Sequence, residues 1–506
     1  MARVRRAVLL AVTTGAVCAL GAAILVARRT RRSIADSADG ATDGRGPALG
    51  DPIPAARAAR TLRVARTASR IGRGYAYDSA RQVFASAARR EELKTERQLR
   101  STAEVVETLG SMKGALMKLG QLASYLDGGM AEPVRQALAT LQQDAPPMSP
   151  ELAASVIEAD LGAPPDELFE AWDEVPIAAA SIGQVHRAIT RDGEAVAVKV
   201  QYPGVDQAIR SDLDNTATLL TMSRLAFPSL DAAPLIGELR ARLVEELDYR
   251  MEAHSQERFG RAFAGHPFIH IPAIRHDLSS ARVLTSELVS GARYDEAVGW
   301  SQEERDLAGE TIFRFVFGCL YRLHGFNGDP HPGNYLFHGG GRVTFLDFGL
   351  VKWFEPAEVA MLARMVDAIV MRRDPRAFRA AVEAAGFLKP APTLSDEQVV
   401  DYLSHYYQMV LEHGATTCTP EYASETVRRF FDATSEVVRH ANVPAPFVVL
   451  QRINLGLYAV LAGLGATADW RRIAEELWPW VGAPPSTALG RAEAAWRSER
   501  REGVDL

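Results

Sequence analysis

Several short stretches of this chain carry residue types that could handle a polyphosphate. Val196-Ala197-Val198-Lys199 ends a β-branched run on an ammonium, just after the turn signal Arg191-Asp192-Gly193. A lysine there can hold the α/β-phosphates of a nucleotide. Asp329-Pro330-His331-Pro332-Gly333-Asn334 sets an aspartate and an asparagine five positions apart. The carboxylate can accept a nucleophile's proton, and the amide carbonyl can ligate a hard metal. Asp347-Phe348-Gly349 closes an apolar run with a carboxylate suited to Mg²⁺ on β- and γ-phosphates. Between them, Tyr335 to Phe337 and Arg342 to Leu346 flank Gly339-Gly340-Gly341. That hairpin signal brings Asn334 and Asp347 to one end of the same ribbon.

Upstream lies Ala178-Ala179-Ala180-Ser181-Ile182-Gly183-Gln184-Val185. On the pattern G-x-G-x-x-G-x-V it keeps the last glycine and the valine, with alanines for the first two glycines. The order of all four elements is that of a protein-kinase-type phosphoryl-transfer site. Such a site pairs its lysine with a glutamate on a following helix. Glu252 is the choice, with Glu238, Glu245 and Glu246 as rivals by pattern. The strand from Val283 to Leu288 leads toward an interlobe hinge, so the Glu287-Leu288-Val289 backbone is expected to meet adenine. Two departures bear on the substrate. Asn327-Gly328 stands before Asp329 where a kinase has His-Arg, and helix-prone text resumes near Pro356 with no A-P-E. That leaves almost no activation segment, which argues against a protein-peptide substrate.

The elements that must position these residues read as a small β-containing lobe followed by a mostly helical one. Helical text covers about Ala76 to Leu126 and Glu151 to Leu161. Strand-like text starts near Asp173, long helical text runs from Val205 to Phe263, and helix returns from Ser301 to His324. Everything after Pro356 reads helical, broken by Pro390, Pro392, Pro444 and Pro446; Phe447 to Gly465 reads as a core helix rather than a second membrane span, and Trp470, Trp478 and Trp480 as packing residues rather than membrane-interface ones. Of 506 residues, 47% are hydrophobic and 24% charged, which excludes wholesale disorder. A net charge of -6 leaves no basic excess for nucleic acid. Cys18, Cys319 and Cys418 lie too far apart for a cysteine zinc site. His324 and His331 lack a third ligand nearby, and His331 reads as a loop-shaping residue.

With Lys118-Leu119-Gly120-Gln121, a K-x-G-Q motif, the chain resembles the UbiB/AarF family of atypical kinase-like proteins. Ala178-Ala179-Ala180-Ser181 looks like that family's alanine-rich loop, and Glu246-Leu247-Asp248 like its E-x-D motif. The resemblance implies an α+β, atypical protein-kinase-like bilobal fold with helical extensions at both ends. It implies that Lys118 and Gln121 lie on a helix folded over the nucleotide site, with Glu246 and Asp248 supporting it. It further implies ATP and Mg²⁺ as cofactors, ATPase or kinase-like activity, and a place in membrane-bound isoprenoid-quinone or other lipid metabolism. The non-enzyme alternative is a nucleotide-gated scaffold that recruits partners, lipid-biosynthesis proteins among them, without turnover.

The first residues suggest where this happens. Ala7 to Ala27 carries no charge and, at 1.5 Å per residue, is just long enough to cross roughly 30 Å of hydrocarbon. A cleaved secretory signal is the competing reading. An uncleaved single span would leave the kinase-like domain facing the cytoplasm, where ATP is. Arg57, Arg60, Arg63, Arg66, Arg70 and Arg73 would fall on one side of a helix, suited to an anionic membrane surface and its lipids at about 1 kcal/mol per charge. A solvated helix face is the plainer alternative. The expected organisation is an anchor over 1–32, a linker over 33–54 and a basic helical segment over 55–102. A helical extension over 103–172, an N-lobe over 173–290, a C-lobe over 291–385 and a helical tail over 386–506 follow.

Overall fold

The computed structural model describes residues 148–180, 182–206, 247–327, 330–390, 393–430, 435–441 and 456–502. The expected anchor, linker and arginine stripe, with Lys118, Gln121, Ser181, Glu246 and Asp329, lie outside the described residues.

The N-lobe opens with α1 (Pro150–Leu161), started by a Ser149 cap on the Leu152 N–H and by proline at the first helical position. Its sheet is built from β1 (Phe169–Trp172), β2 (Ala178–Ala180), β3 (Gly183–Thr190), β4 (Ala195–Gln201) and β6 (Val283–Glu287). The strands run in the order β1-β3-β4-β6, all antiparallel, with β2 paired to β3. The sheet thus begins at Phe169, four residues before the strand-like text at Asp173. The β3–β4 hairpin turns at Gly193, whose φ of +87° only glycine adopts without strain. Alternation along β4 sends Val196, Val198 and Val200 into a core shared with Val156, Ile157 and Phe169. The opposite face carries Ala197 and Lys199. Each buried valine there contributes about 1.5–3 kcal/mol, which fixes the register that turns Lys199 the other way.

Helix α2 (Tyr249–Ala262) follows, capped by Asp248, and β5 (Ile269–His270) joins it to the C-lobe. The C-lobe centres on α3 (Gln302–Gly318), which ends in a π-turn at Cys319–Leu323 and a left-handed His324. Short strands β7 (Gly325–Asn327), β8 (Tyr335–Phe337), β9 (Val343–Phe345) and β10 (Val351–Trp353) form two small sheets, β5-β9-β8 and β7-β10. All three glycines at Gly339-Gly340-Gly341 have positive φ, so the β8–β9 hairpin needs them. Helices α4 (Pro356–Val366), α5 (Pro375–Ala384) and α6 (Asp396–Leu403) lead into the tail. The tail adds β11 (Thr416–Thr417), α7 (Pro420–Phe430), β12 (Thr467–Ala468), α8 (Trp470–Leu477) and α9 (Ala488–Glu502). The β11–β12 pair lies in text that the sequence reads as helical apart from its proline breaks. Trp470 and Trp478 are buried, and Trp480 stacks on Trp478. The described end of the Phe447 to Gly465 run buries Leu457, Leu461 and Leu464 in the same core. Among the described residues, no helix is long and apolar enough to cross a membrane.

Candidate functional site

Lys199 is the meeting point of the two lobes. Its Nζ donates to both Glu252 carboxylate oxygens at 2.8 Å, and Asp347 Oδ2 lies 3.7 Å away. Burial alone would push the ammonium's pKa down. The Glu252 and Asp347 carboxylates outweigh that and hold it well above the usual lysine value. Tyr249, one helical turn before Glu252, sets its ring 5.0 Å from the same Nζ. Glu252 itself is buried on α2 and pairs with Lys199. Glu238, Glu245 and Glu246 lie outside the described residues.

Asp347 is held from several sides. Its Oδ1 accepts the Gly349 N–H at 2.9 Å, and its carbonyl accepts Asn327 Nδ2 at 2.8 Å. Phe348 is buried against Phe259 of α2, 5.1 Å between ring centres. The apolar middle of the Asp-Phe-Gly run therefore docks on the helix that carries Glu252. Asn334 stands at the other foot of the hairpin. Its carbonyl accepts the Leu346 N–H at 3.0 Å, one residue before Asp347, and Tyr335 pairs with Phe345. His331 Nδ1 accepts the Gly333 N–H at 3.1 Å and shapes the turn that leads to Asn334.

The alanine-rich segment is a hairpin. Ala178, Ala179 and Ala180 pair with Val185, Gln184 and Gly183. Ala178 and Ala179 are exposed, and Val185 sits across from Lys199. Ile182 is buried with Tyr249 and Leu284, and its carbonyl accepts the Tyr202 N–H at 2.9 Å. Ile182 is therefore held in place on its side of the hairpin. A Cβ on Gly183 would meet the Val200 carbonyl oxygen at 2.2 Å and the Tyr249 hydroxyl at 2.9 Å. Close packing against β4 and α2 thus requires the glycine. At the hinge, the Glu287 N–H donates to Ala273 O at 2.8 Å and the Leu288 N–H to Ala195 O at 3.0 Å. Both amides are therefore committed to protein carbonyls. Asp248 caps α2 through the Arg250 N–H and pairs with the Arg250 guanidinium, which holds its carboxyl below the usual range.

Asp347 and Asn334 offer hard oxygen donors, and Asp347 keeps 28% of its side chain exposed. No group of three His, Cys, Asp or Glu poised for a metal occurs among the described residues. That donor set fits Mg²⁺, which takes one or two protein oxygens and completes its shell with phosphate and water. Sequence reasoning alone misses Asn327 and Tyr249. Tyr249 has a signal, its i, i+3 spacing from Glu252; Asn327 has only its place in the stretch that replaces His-Arg.

Fold and cleft together define a kinase-like protein. Residues 140–381 match the ABC1 atypical kinase-like domain, which supports the resemblance to the UbiB/AarF family. It is 36% identical over 252 residues to the mitochondrial atypical kinase COQ8B of Rattus norvegicus, covering 49% of this chain and 48% of that one. It is 31% identical over 303 residues to the uncharacterized protein Rv0647c of Mycobacterium tuberculosis, covering 57% and 61%. The chain spans about half the length of the first and three-fifths of the second. The solved complex of Rv3197 with erythromycin, also from Mycobacterium tuberculosis, superposes with a TM-score of 0.57 at 29% identity. That match covers 78% of this chain and 100% of the other.

Proposed function

We propose that this chain binds Mg²⁺-ATP between its lobes and acts as an atypical kinase or ATPase. The observation that carries the reading is the charge cluster of Lys199, Glu252 and Asp347, which joins a strand, a helix and a loop from both lobes. Lys199 engages the α/β-phosphates, and Glu252 fixes its direction. Asn334 and Asp347 hold the metal ion, which when bound neutralises charge on the β- and γ-phosphates. Asp329 takes the role of positioning a hydroxyl or water. Ala178, Ala179, Ala180, Ser181, Gly183 and Val185 cover the phosphates, and Glu287, Leu288 and Val289 border adenine.

The acceptor is something other than a docked peptide. Only six residues, Leu350 to Glu355, separate Gly349 from Pro356 at the start of α4. Three of them, Val351–Trp353, are already paired with β7. A lipid-borne hydroxyl or water suits so short a segment. Membrane association, and support of isoprenoid-quinone or other lipid metabolism, belong to this reading on the strength of the family resemblance and of the arginine spacing in the N-terminal sequence. Lys118, Gln121 and Glu246 are assigned the regulatory cover that the family motif implies, and Asp248 supports it.

The test is phosphate release by the full chain with Mg²⁺-ATP, with and without vesicles containing anionic lipid. Turnover above an Asp329→Asn control, raised by those vesicles, is expected. Nucleotide binding with no turnover above that control assigns a nucleotide-gated scaffold instead.

A further inference from the structure

The C-terminal end of α2, the helix that carries Glu252, is capped from far along the chain. Arg500 on α9 donates through Nη1 to Ala262 O at 2.6 Å and through Nη2 to Arg261 O at 2.9 Å. The Trp496 indole N–H donates to Ala264 O at 3.2 Å. The last carbonyls of a helix lack partners within it and carry the negative end of its dipole, so a guanidinium complements them in both respects. The Trp496 ring lies parallel to Phe263 and edge-on to His266, with ring centres 6.5 and 4.5 Å apart.

A second group of contacts ties α9 to the C-lobe. Glu493 accepts from Arg314 and from Arg322, each at 3.1 Å. The Arg314 side chain is 1% exposed and also binds Glu310 and Glu476, each at 2.7 Å. Burial works against the Arg314 charge, but the three carboxylates outweigh it and raise its pKa. Arg314 lies on α3 and Arg322 on the π-turn, and these run directly into β7 and the Asp329 loop. One helix thus grips both the glutamate-bearing element and the stem of the catalytic loop.

We propose that α9 is a strap that sets the cleft, and that Trp496 and Arg500 are positioning residues for Glu252. The proposal rests on the reading of the cleft as a nucleotide site. Glu252 lies ten residues before Ala262, about 15 Å along a rigid helix. Pivoting α2 about its C-terminal end would swing the Glu252 carboxylate away from Lys199, and Lys199 away from its place over Asp347.

The experiment uses the full chain with Arg500→Ala plus Trp496→Phe, and separately Arg500→Lys. Amide hydrogen exchange is read across Tyr249–Ala262 without nucleotide, and Mg²⁺-ATP affinity by calorimetry. Arg500 is exposed and phenylalanine keeps the ring stack, so both variants fold. The double variant loses three exposed hydrogen bonds at the end of α2 and should speed α2 exchange about tenfold and weaken nucleotide binding about three- to tenfold. Arg500→Lys, which keeps a cation at the helix end, should recover most of both. Unchanged α2 exchange overturns the strap, and so does faster exchange with unaltered affinity. If the parent chain binds no nucleotide, the functional reading fails, while the exchange measurement alone still decides whether α9 holds α2.

Discussion

Lys199 Nζ and Asp347 Oδ2 stand 3.7 Å apart although one comes from the N-lobe sheet and the other from a C-lobe hairpin. Glu252 completes the contact on the side away from solvent. Among the described residues, the Lys199 cation thus lies between two carboxylates. Incoming phosphates and metal would rearrange that balance, with Lys199 turning partly from Asp347 to phosphate oxygens and the Asp347 carboxylate turning to metal.

Removing the cation alone should be costly. Lys199→Met removes the ammonium that donates to both oxygens of the buried Glu252 carboxylate and is expected to lower stability by about 3–5 kcal/mol in urea denaturation. Lys199→Met with Glu252→Met should regain most of that stability and still bind no nucleotide. A double variant no more stable than the single one would contradict this account of the pair.

Gly183 separates packing from ligand binding. Gly183→Ala drives a Cβ into the Val200 carbonyl and should destabilise the nucleotide-free chain by about 1–3 kcal/mol, the usual cost of overpacking. Ala179→Gly, on the exposed strand of the same hairpin, should shift stability by no more than about 1 kcal/mol. If Gly183→Ala leaves the denaturation midpoint unmoved, the close approach of hairpin to β4 is wrong.

His266 gives a pH signature. Burial, then the Arg314 and Arg500 charges, lowers its pKa from 6.5 to about 3. The folded chain keeps the ring neutral while the unfolded chain protonates it below pH 6.5. Stability contributed by this residue is therefore full above 6.5 and falls as the pH drops toward 3, by at most about 1.4 kcal/mol per pH unit. Denaturation midpoints between pH 7 and 5 should slope less in His266→Gln than in the parent, and equal slopes would remove the effect.

Much of the cleft is legible in the residues themselves. The β3–β4 hairpin, Lys199 at its cleft face and the Asn334-to-Asp347 ribbon follow from alternation, turn residues and spacing. Those signals are local, and the core valines of β4 enforce them. The start of the sheet at Phe169 escapes such reasoning because Phe-Glu-Ala-Trp is too short to show a period. Strand β2 is obscured because alanine is a poor strand former, and it pairs only because β3 and the buried Ile182 hold it there. The choice of Glu252 over its rivals needs the resemblance to kinases, since four acidic residues lie on text of one helical character. The grip of Arg500 on α2 spans more than two hundred positions and leaves no periodic mark. Contacts of that kind arise when distant helices dock, and only the fold reveals them.

The most direct test of the cleft is equilibrium binding of ATP to the full chain and to Asp347→Asn, with and without Mg²⁺. Asparagine keeps the oxygen that accepts the Gly349 N–H and loses only the charge. The parent should bind more tightly when Mg²⁺ is present, and the variant should lose that gain by at least about tenfold. Equal affinity and equal Mg²⁺ dependence in the two chains would contradict the placement of the nucleotide and its metal between Lys199 and Asp347.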